Sequence, residues 1–298
     1  MKEIHRLSRI VLPLAVIFAS FSAIFIRWSN APALIIAFYR MLIAFLLVLP
    51  YSLAKPEQVN RRDLLLSLVS GVFLGIHFAT WISSLHYTSV ASSVLLVNTH
   101  PVMVYLISRF ILREGGSRRE FLFVLVTVLG SSVLSWGDLG RGNNVLLGDF
   151  LAVLGALSVG VYMVLGRIVR RRVAVAKYTF LVYGTSGVTL LLINIIADTR
   201  FYPYPPREFL LFFALAFVCT ILGHSIYSWA LKYVPSTFLS VTVLIEPVAA
   251  GIMAYFFFGE VPSVLNGIGA GIILYGIYGY SRASSLRQPP VPPDRIAD

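Results

Sequence analysis

The chain has 298 residues, of which 58% are hydrophobic and only 12% charged. A soluble domain carries roughly 25% charged residues. With a mean hydropathy of +0.83, this chain lacks the polar surface to cover a water-exposed globule and reads as a polytopic membrane protein. The net charge of +11 comes from 24 Lys and Arg set between long apolar runs rather than on one basic face, which argues against a nucleic-acid partner. The single cysteine, Cys219, excludes an internal disulfide framework and a cysteine-built metal site.

A helix crossing the hydrocarbon core needs about 20 mainly apolar residues. The apolar runs here are too continuous for barrel strands. Ten spans are expected, at 10–27, 33–53, 64–87, 88–111, 121–136, 150–170, 178–196, 209–232, 235–258 and 264–281. The third and fourth have no real loop between them and form a tight helical hairpin at Tyr87–Ser89. With the N-terminus inside, 19 Lys and Arg fall on the inner side, and four (Arg27, Arg141, Arg200 and Arg207) on the outer side. That bias predicts a cytoplasmic (inner) membrane protein with both termini in the cytoplasm. Lys2 and Arg6 before an apolar run also have the look of a signal peptide. Removing that span would leave one half incomplete by the repeat described next. Residues 282–298, proline-rich from Gln288, read as a disordered cytoplasmic tail.

Residues 85–114 and 231–260 repeat at an offset of 146, with identities at Leu85/Leu231, Tyr87/Tyr233, Val97/Val243, Pro101/Pro247, Val102/Val248, Phe110/Phe256 and Glu114/Glu260. An intramembrane proline and a closing acid are not interchangeable apolar fillers, so the single transmembrane domain (1–281) divides into repeat one, about 10–136, and repeat two, about 150–281. Five spans per half is an odd number, so the second half enters the membrane in the opposite sense. Glu114 falls in a basic loop and Glu260 in one without Lys or Arg, as inversion requires. Inverted repeats around a midplane site suit alternating access.

The ninth span and its exit read Leu244-Ile-Glu-Pro-Val-Ala-Ala-Gly-Ile-Met-Ala-Tyr-Phe-Phe-Phe-Gly-Glu260, and the fourth gives a degenerate copy from Thr99-His-Pro-Val102 to Glu114. The second span has Phe38-Tyr-Arg-Met41, and the sixth runs from Ala156 to Arg172 with Tyr162 and Arg167. In these motifs, and in their order, the chain resembles the drug/metabolite transporter superfamily, in particular its EamA-type ten-helix members. It departs from that pattern at His100 and in a first span without the family's tryptophan. The resemblance implies an all-α fold of ten transmembrane helices as two inverted five-helix repeats around a central cavity. It also implies export or exchange of small metabolites such as amino acids.

An ionisable side chain inside a span costs at least ~2.5 kcal/mol on insertion scales and usually faces a cavity or a partner. Two are clearly charged, Arg40 and Glu246. Glu246 lies just before Pro247, which frees a carbonyl one turn back and favours a kink; it is a candidate proton or cation sensor, or a partner for Arg40. The planar fork of Arg40 suits a substrate carboxylate or phosphate, unless it snorkels or pairs internally. His100 is the repeat equivalent of Glu246, also beside a proline, and is the second proton-coupling candidate. Pro101 and Pro247 are candidate hinges. His77 and Trp81 share a face of the third span, and His224, Tyr227 and Ser228 a face of the eighth. Trp81 and Tyr227 are repeat equivalents and could wall a pocket for a small organic ligand. Asn98, Ser158 and Tyr162 are further cavity candidates. Each also has a plain packing explanation. Gly267-x-x-x-Gly271 in the last span has the spacing for close helix approach, within the chain or in a homodimer.

The sequence has no Walker A loop, no His-Glu-x-x-His and no serine elbow, so no enzyme, cofactor or metal chemistry is expected. The expected partners are the lipid bilayer, a small-molecule substrate and, as coupling ion, protons; the chain would work as a monomer or a homodimer. The alternatives are an uncoupled facilitator or exchanger of similar solutes and, further off, an intramembrane enzyme or sensor.

Overall fold

The structure is a computed structural model that describes residues 2–54, 56–88, 90–112, 116–134, 143–259, 261 and 263–285. Glu114 and Glu260, Ser89 of the expected hairpin, the last two residues of the expected fifth span, Arg141 and the proline-rich tail lie outside the described residues. Every regular element among the described residues is helical. They are α1 (Lys2–Trp28), α2 (Ala33–Ala54), α3 (Arg61–Tyr87), α4 (Val90–Val97), α5 (His100–Ile107) and α6 (Arg118–Leu134). There follow α7 (Val145–Arg170), α8 (Val175–Ile196), α9 (Pro206–Ala214), α10 (Ser225–Ala230), α11 (Ser236–Val243), α12 (Glu246–Phe258) and α13 (Val264–Ser285). Wide π-type turns extend α5 over Ser108–Leu112 and join α9 to α10 over Leu215–His224.

Eight helical stretches are long and apolar enough to cross a membrane, taking α4–α5, α9–α10 and α11–α12 each as one. The expected fifth and tenth spans are α6 and α13. The first has 17 described residues, short of a full crossing; the second has 22, but Asn266, five glycines and a Ser-Arg-Ala-Ser end dilute it. Several helices begin earlier than the apolar runs. α3 starts at Arg61 because Asn60 caps it: the Asp63 N–H donates to Asn60 Oδ1 at 2.8 Å. α7 starts at Val145 through Asn144, whose Oδ1 accepts from the Leu147 N–H at 3.3 Å. The polar first turn of α3, Arg61-Arg62-Asp63, is invisible to an apolar scan.

The fourth and ninth spans are broken, and in the same register. α4 and α11 cover 90–97 and 236–243, and α5 and α12 resume at His100 and Glu246, each at the offset of 146 seen in the sequence. The cause is the proline at the second position of the resumed helix, which lacks the N–H that would take the carbonyl four residues back. The backbone tightens instead. Thr99 N–H bonds Leu96 O at 3.1 Å and Leu244 N–H bonds Val241 O at 3.2 Å, both three residues back.

The two halves interleave. α3 packs along α7, α1 along 215–224 and α12, and α4–α5 on α7. α2 packs on α8, α5 on α11, and α6 along α13. Glycines permit the closest of these contacts. A Cβ on Gly71 would stand 2.7 Å from Val182 O, and one on Gly269 2.5 Å from Leu134 N. The expected Gly267/Gly271 pair is not the contact face: a Cβ at either meets nothing within 4 Å. The glycines of α13 that touch α6 are Gly269, Gly276 and Gly279, on the neighbouring stripe.

Hydrogen bonds bind the turns at each end of the bundle. At one end, Arg172 between α7 and α8 reaches Asp63 of α3 with Nη2–Oδ1 at 2.6 Å and Nε–Oδ2 at 2.8 Å. Asp63 thereby holds Arg172 above its ordinary range, charged at any working pH. Glu57 between α2 and α3 accepts from the Ala174 N–H at 3.0 Å. At the other end, Glu208 in the first turn of α9 accepts from Ser29 Oγ at 2.5 Å and from the Asn30 N–H at 3.0 Å, both between α1 and α2.

Candidate functional site

A cavity of about 90 Å³ lies where α1, α2, α3, α7, the 215–230 segment and the two broken spans meet. Of the nine residues expected to bind substrate, eight line it. Arg40, His77, Trp81, Asn98 and His100 come from the first half, His224, Tyr227 and Glu246 from the second. Tyr162 does not. It is buried behind the wall, where its hydroxyl and that of Ser228 lie 2.9 Å apart, tying α7 to α10. Ser158 bonds Leu154 O of its own helix at 2.7 Å. A larger apolar groove of about 480 Å³ runs along α2 and α8 beside Phe38, Phe45 and Phe180. It offers a ligand no charge and almost no polar atoms, so the chemistry points to the smaller cavity.

Arg40 does not snorkel; it pairs internally, though with Thr220 and Phe78 and not with Glu246. It is 1% exposed, its Nε donates to Thr220 Oγ1 at 2.8 Å, and its guanidinium lies 4.5 Å from the centre of the Phe78 ring. Its Nη2 is buried without a hydrogen bond. The Glu246 carboxylate takes its proton donor from another helix, Tyr227 Oη at 2.8 Å.

The histidines are fixed by backbone carbonyls. His77 Nδ1 is 2.9 Å from Gly155 O, and its ring stacks on Trp81 at 5.9 Å and 10°. His100 Nδ1 is 3.1 Å from Val97 O, the carbonyl released by Pro101. A carbonyl only accepts, so Nδ1 carries the proton in both rings and Nε2 of the neutral ring is an acceptor. His100 Nε2 and Trp81 Nε1 are buried with no partner. His224 packs edge-on to Phe78 at 5.7 Å and against Tyr227 at 5.6 Å. Asn98 donates to Ser131 Oγ at 3.0 Å. Among the described residues no group of three or more His, Cys, Asp and Glu could hold a metal ion.

Pro101 and Pro247 do not line the cavity; each sits just beyond a lining residue, His100 or Glu246, at the helix break. Sequence reasoning missed Ser22, Phe78 and Thr220. Thr220 lies four residues before His224, a spacing that could have marked it; nothing local marks Phe78, whose role is to offer its ring face to Arg40.

Apolar membrane-length helices packed around a small cavity with buried charges define a polytopic membrane protein of the carrier kind. The model of the EamA-like transporter family matches residues 8–136 and again 146–282, and the chain belongs to that family, within the drug/metabolite transporter superfamily that its motifs resemble. It is similar to an uncharacterized transporter of Archaeoglobus fulgidus, 29% identical over 264 residues that cover 86% of this chain and 89% of the relative. It is also similar to the pseudopaline exporter of Pseudomonas aeruginosa, 25% identical over 256 residues, 85% of this chain and 88% of the relative. A crystal structure shares the fold, with a TM-score of 0.77 at 19% identity over 94% of this chain and 98% of that one. The family is one of membrane transporters, not of enzymes.

Proposed function

We propose that the chain is a secondary transporter that exports small organic metabolites, amino acids among them, across the cytoplasmic membrane by alternating access. The observation that carries this reading is the convergence of eight polar and aromatic side chains, from both halves, on one cavity beside two helix breaks in matching register. The outward direction rests on the relative named an exporter.

The full arrangement is ten spans as two inverted repeats, with both termini cytoplasmic. The double family match, the shared offset of 146 and the distribution of Lys and Arg support it. So do the turns: 29–30 meets Glu208 at one end while its counterpart at 172–174 meets Asp63 and Glu57 at the other. The rocking bodies are mixed rather than one per half: α3, α4–α5 and α7 on one side of the cavity, α1, 206–230 and α12 on the other. The breaks at 98–99 and 244–245 are where each broken span can bend, with Pro101 and Pro247 as hinges. Protons couple the cycle through Glu246 or His100.

Proteoliposomes holding the purified chain and loaded with a panel of radiolabelled metabolites test this. A carrier moves an unaltered solute and responds to an imposed pH gradient. Movement indifferent to the gradient marks an uncoupled facilitator, and an altered solute marks an enzyme. If no solute moves into or out of sealed vesicles, the reading fails.

A further inference from the structure

Polar groups in a dry interior almost always find partners, and each one that does not calls for a reason. Three of the side chains lining this cavity each keep one buried polar atom without a partner: Arg40 Nη2, Trp81 Nε1 and His100 Nε2. None of the three is loose. Thr220 and Phe78 hold Arg40, the stack on His77 holds the Trp81 indole, and Val97 O holds His100 through Nδ1. Each of the three side chains is therefore anchored through other atoms, and the unpartnered atoms do not belong to side chains that failed to pack.

Their chemistry is asymmetric. Arg40 Nη2 and Trp81 Nε1 can only donate, whereas Nε2 of the neutral His100 ring can only accept. Arg40 also carries a buried charge whose one hydrogen-bond partner is a neutral hydroxyl; the cavity's carboxylate, Glu246, is bonded by Tyr227 and acts on Arg40 across the cavity without a contact ion pair. A buried charge with no direct ionic contact is costly, and an anionic ligand bonded to it would offset that cost. Water could bridge such groups, but it would bring no charge to the guanidinium.

We propose that this cavity is an oxyanion site. The transported solute carries a carboxylate or phosphate received by Arg40 Nη2 and Trp81 Nε1, and a hydrogen-bond donor on the same molecule meets His100 Nε2. The proposal rests on the transporter reading and narrows its cargo. The wall agrees: the Arg40 charge repels a cation at that end of the cavity.

The test is ligand binding to the purified full-length chain in detergent, read by the shift in melting temperature and by tryptophan fluorescence. The probes are acetate, inorganic phosphate, glycine and methylammonium. Acetate or phosphate should stabilise the protein, glycine at least as well as acetate, and methylammonium not at all; which anion binds more tightly identifies the head group. Arg40→Ala should abolish the anion effect and Arg40→Lys, which keeps charge but not the fork, should restore part of it. Trp81→Phe keeps an aromatic ring to stack on His77 and loses only the N–H, so anion affinity should fall about tenfold, as for one lost bond to a charged group. Anion effects of equal size in wild type and in folded Arg40→Lys and Trp81→Phe overturn the proposal, as does the absence of any anion effect. Vesicle flux separates the two readings: a chain that moves only neutral or cationic solutes remains a transporter without this site, and one that binds acetate but moves nothing keeps the site and loses transport.

Discussion

Tyr227 Oη donates to Glu246 Oε1 at 2.8 Å across the gap between the eighth and ninth spans. The bond fixes the carboxylate at the first residue after the helix break, so the group with the strongest claim to sense protons sits on the element most able to bend. Glu246→Gln keeps the shape and removes the titration. Transport by this variant should lose its response to an imposed pH gradient while substrate exchange at constant pH persists. A pH profile identical to wild type would remove Glu246 from coupling and leave His100 as the candidate.

Tyr227→Phe leaves the same carboxylate without its donor. A bond to a charged group is worth about 1.5–3 kcal/mol, so the variant should melt several degrees lower in detergent and transport more slowly. Melting scans of Tyr227→Phe, Glu246→Gln and the double variant form a cycle. If the two losses simply add, the 2.8 Å contact contributes no coupling energy.

Thr220→Val removes the hydroxyl that accepts from Arg40 Nε. The guanidinium would then have only the Phe78 ring, and destabilisation of about 1.5–3 kcal/mol is expected. If Arg40 receives an anion from the solute, saturating acetate should recover part of that loss. A melting temperature equal to wild type without ligand would show that Arg40 does not depend on Thr220.

Two pairs of glycines on α13 should behave oppositely. Gly269→Ala and Gly276→Ala push a Cβ into α6, with contacts of 2.5 Å to Leu134 N and 2.9 Å to Thr127 N, and should cost about 1–3 kcal/mol or lower expression sharply. Gly267→Ala and Gly271→Ala meet nothing and should be tolerated by the monomer. Size-exclusion and crosslinking of the latter pair also report on dimers: tolerance with loss of a dimer band would place that stripe between two copies of the chain.

Substituted cysteines can read the topology in a Cys219→Ser background. Positions 57 and 174, joined by a hydrogen bond, should be protected from an impermeant thiol reagent in intact cells, and positions 30 and 200 should react. Labelling of 57 and 30 from the same side would end the inverted arrangement.

The class of molecule, the succession of apolar spans and the repeat at 146 were legible from residue chemistry alone, because lipid demands long apolar helices and a proline cannot complete a helical bond wherever it lies. That is why the helix breaks fell at the same register in both halves without reference to packing. The candidate cavity residues were also legible, since a charge or histidine inside an apolar span must have a reason to be there. Their partners were not. That Glu246 would bond Tyr227 and not Arg40, that Arg40 would rest on Thr220 and Phe78, and that Gly269 would make the close contact instead of Gly267 all depend on how the helices are rotated and which half interleaves with which. Spacing along one helix defines a face, but only the neighbouring helix decides what that face meets, and the contacts that shape this cavity join residues up to 180 positions apart.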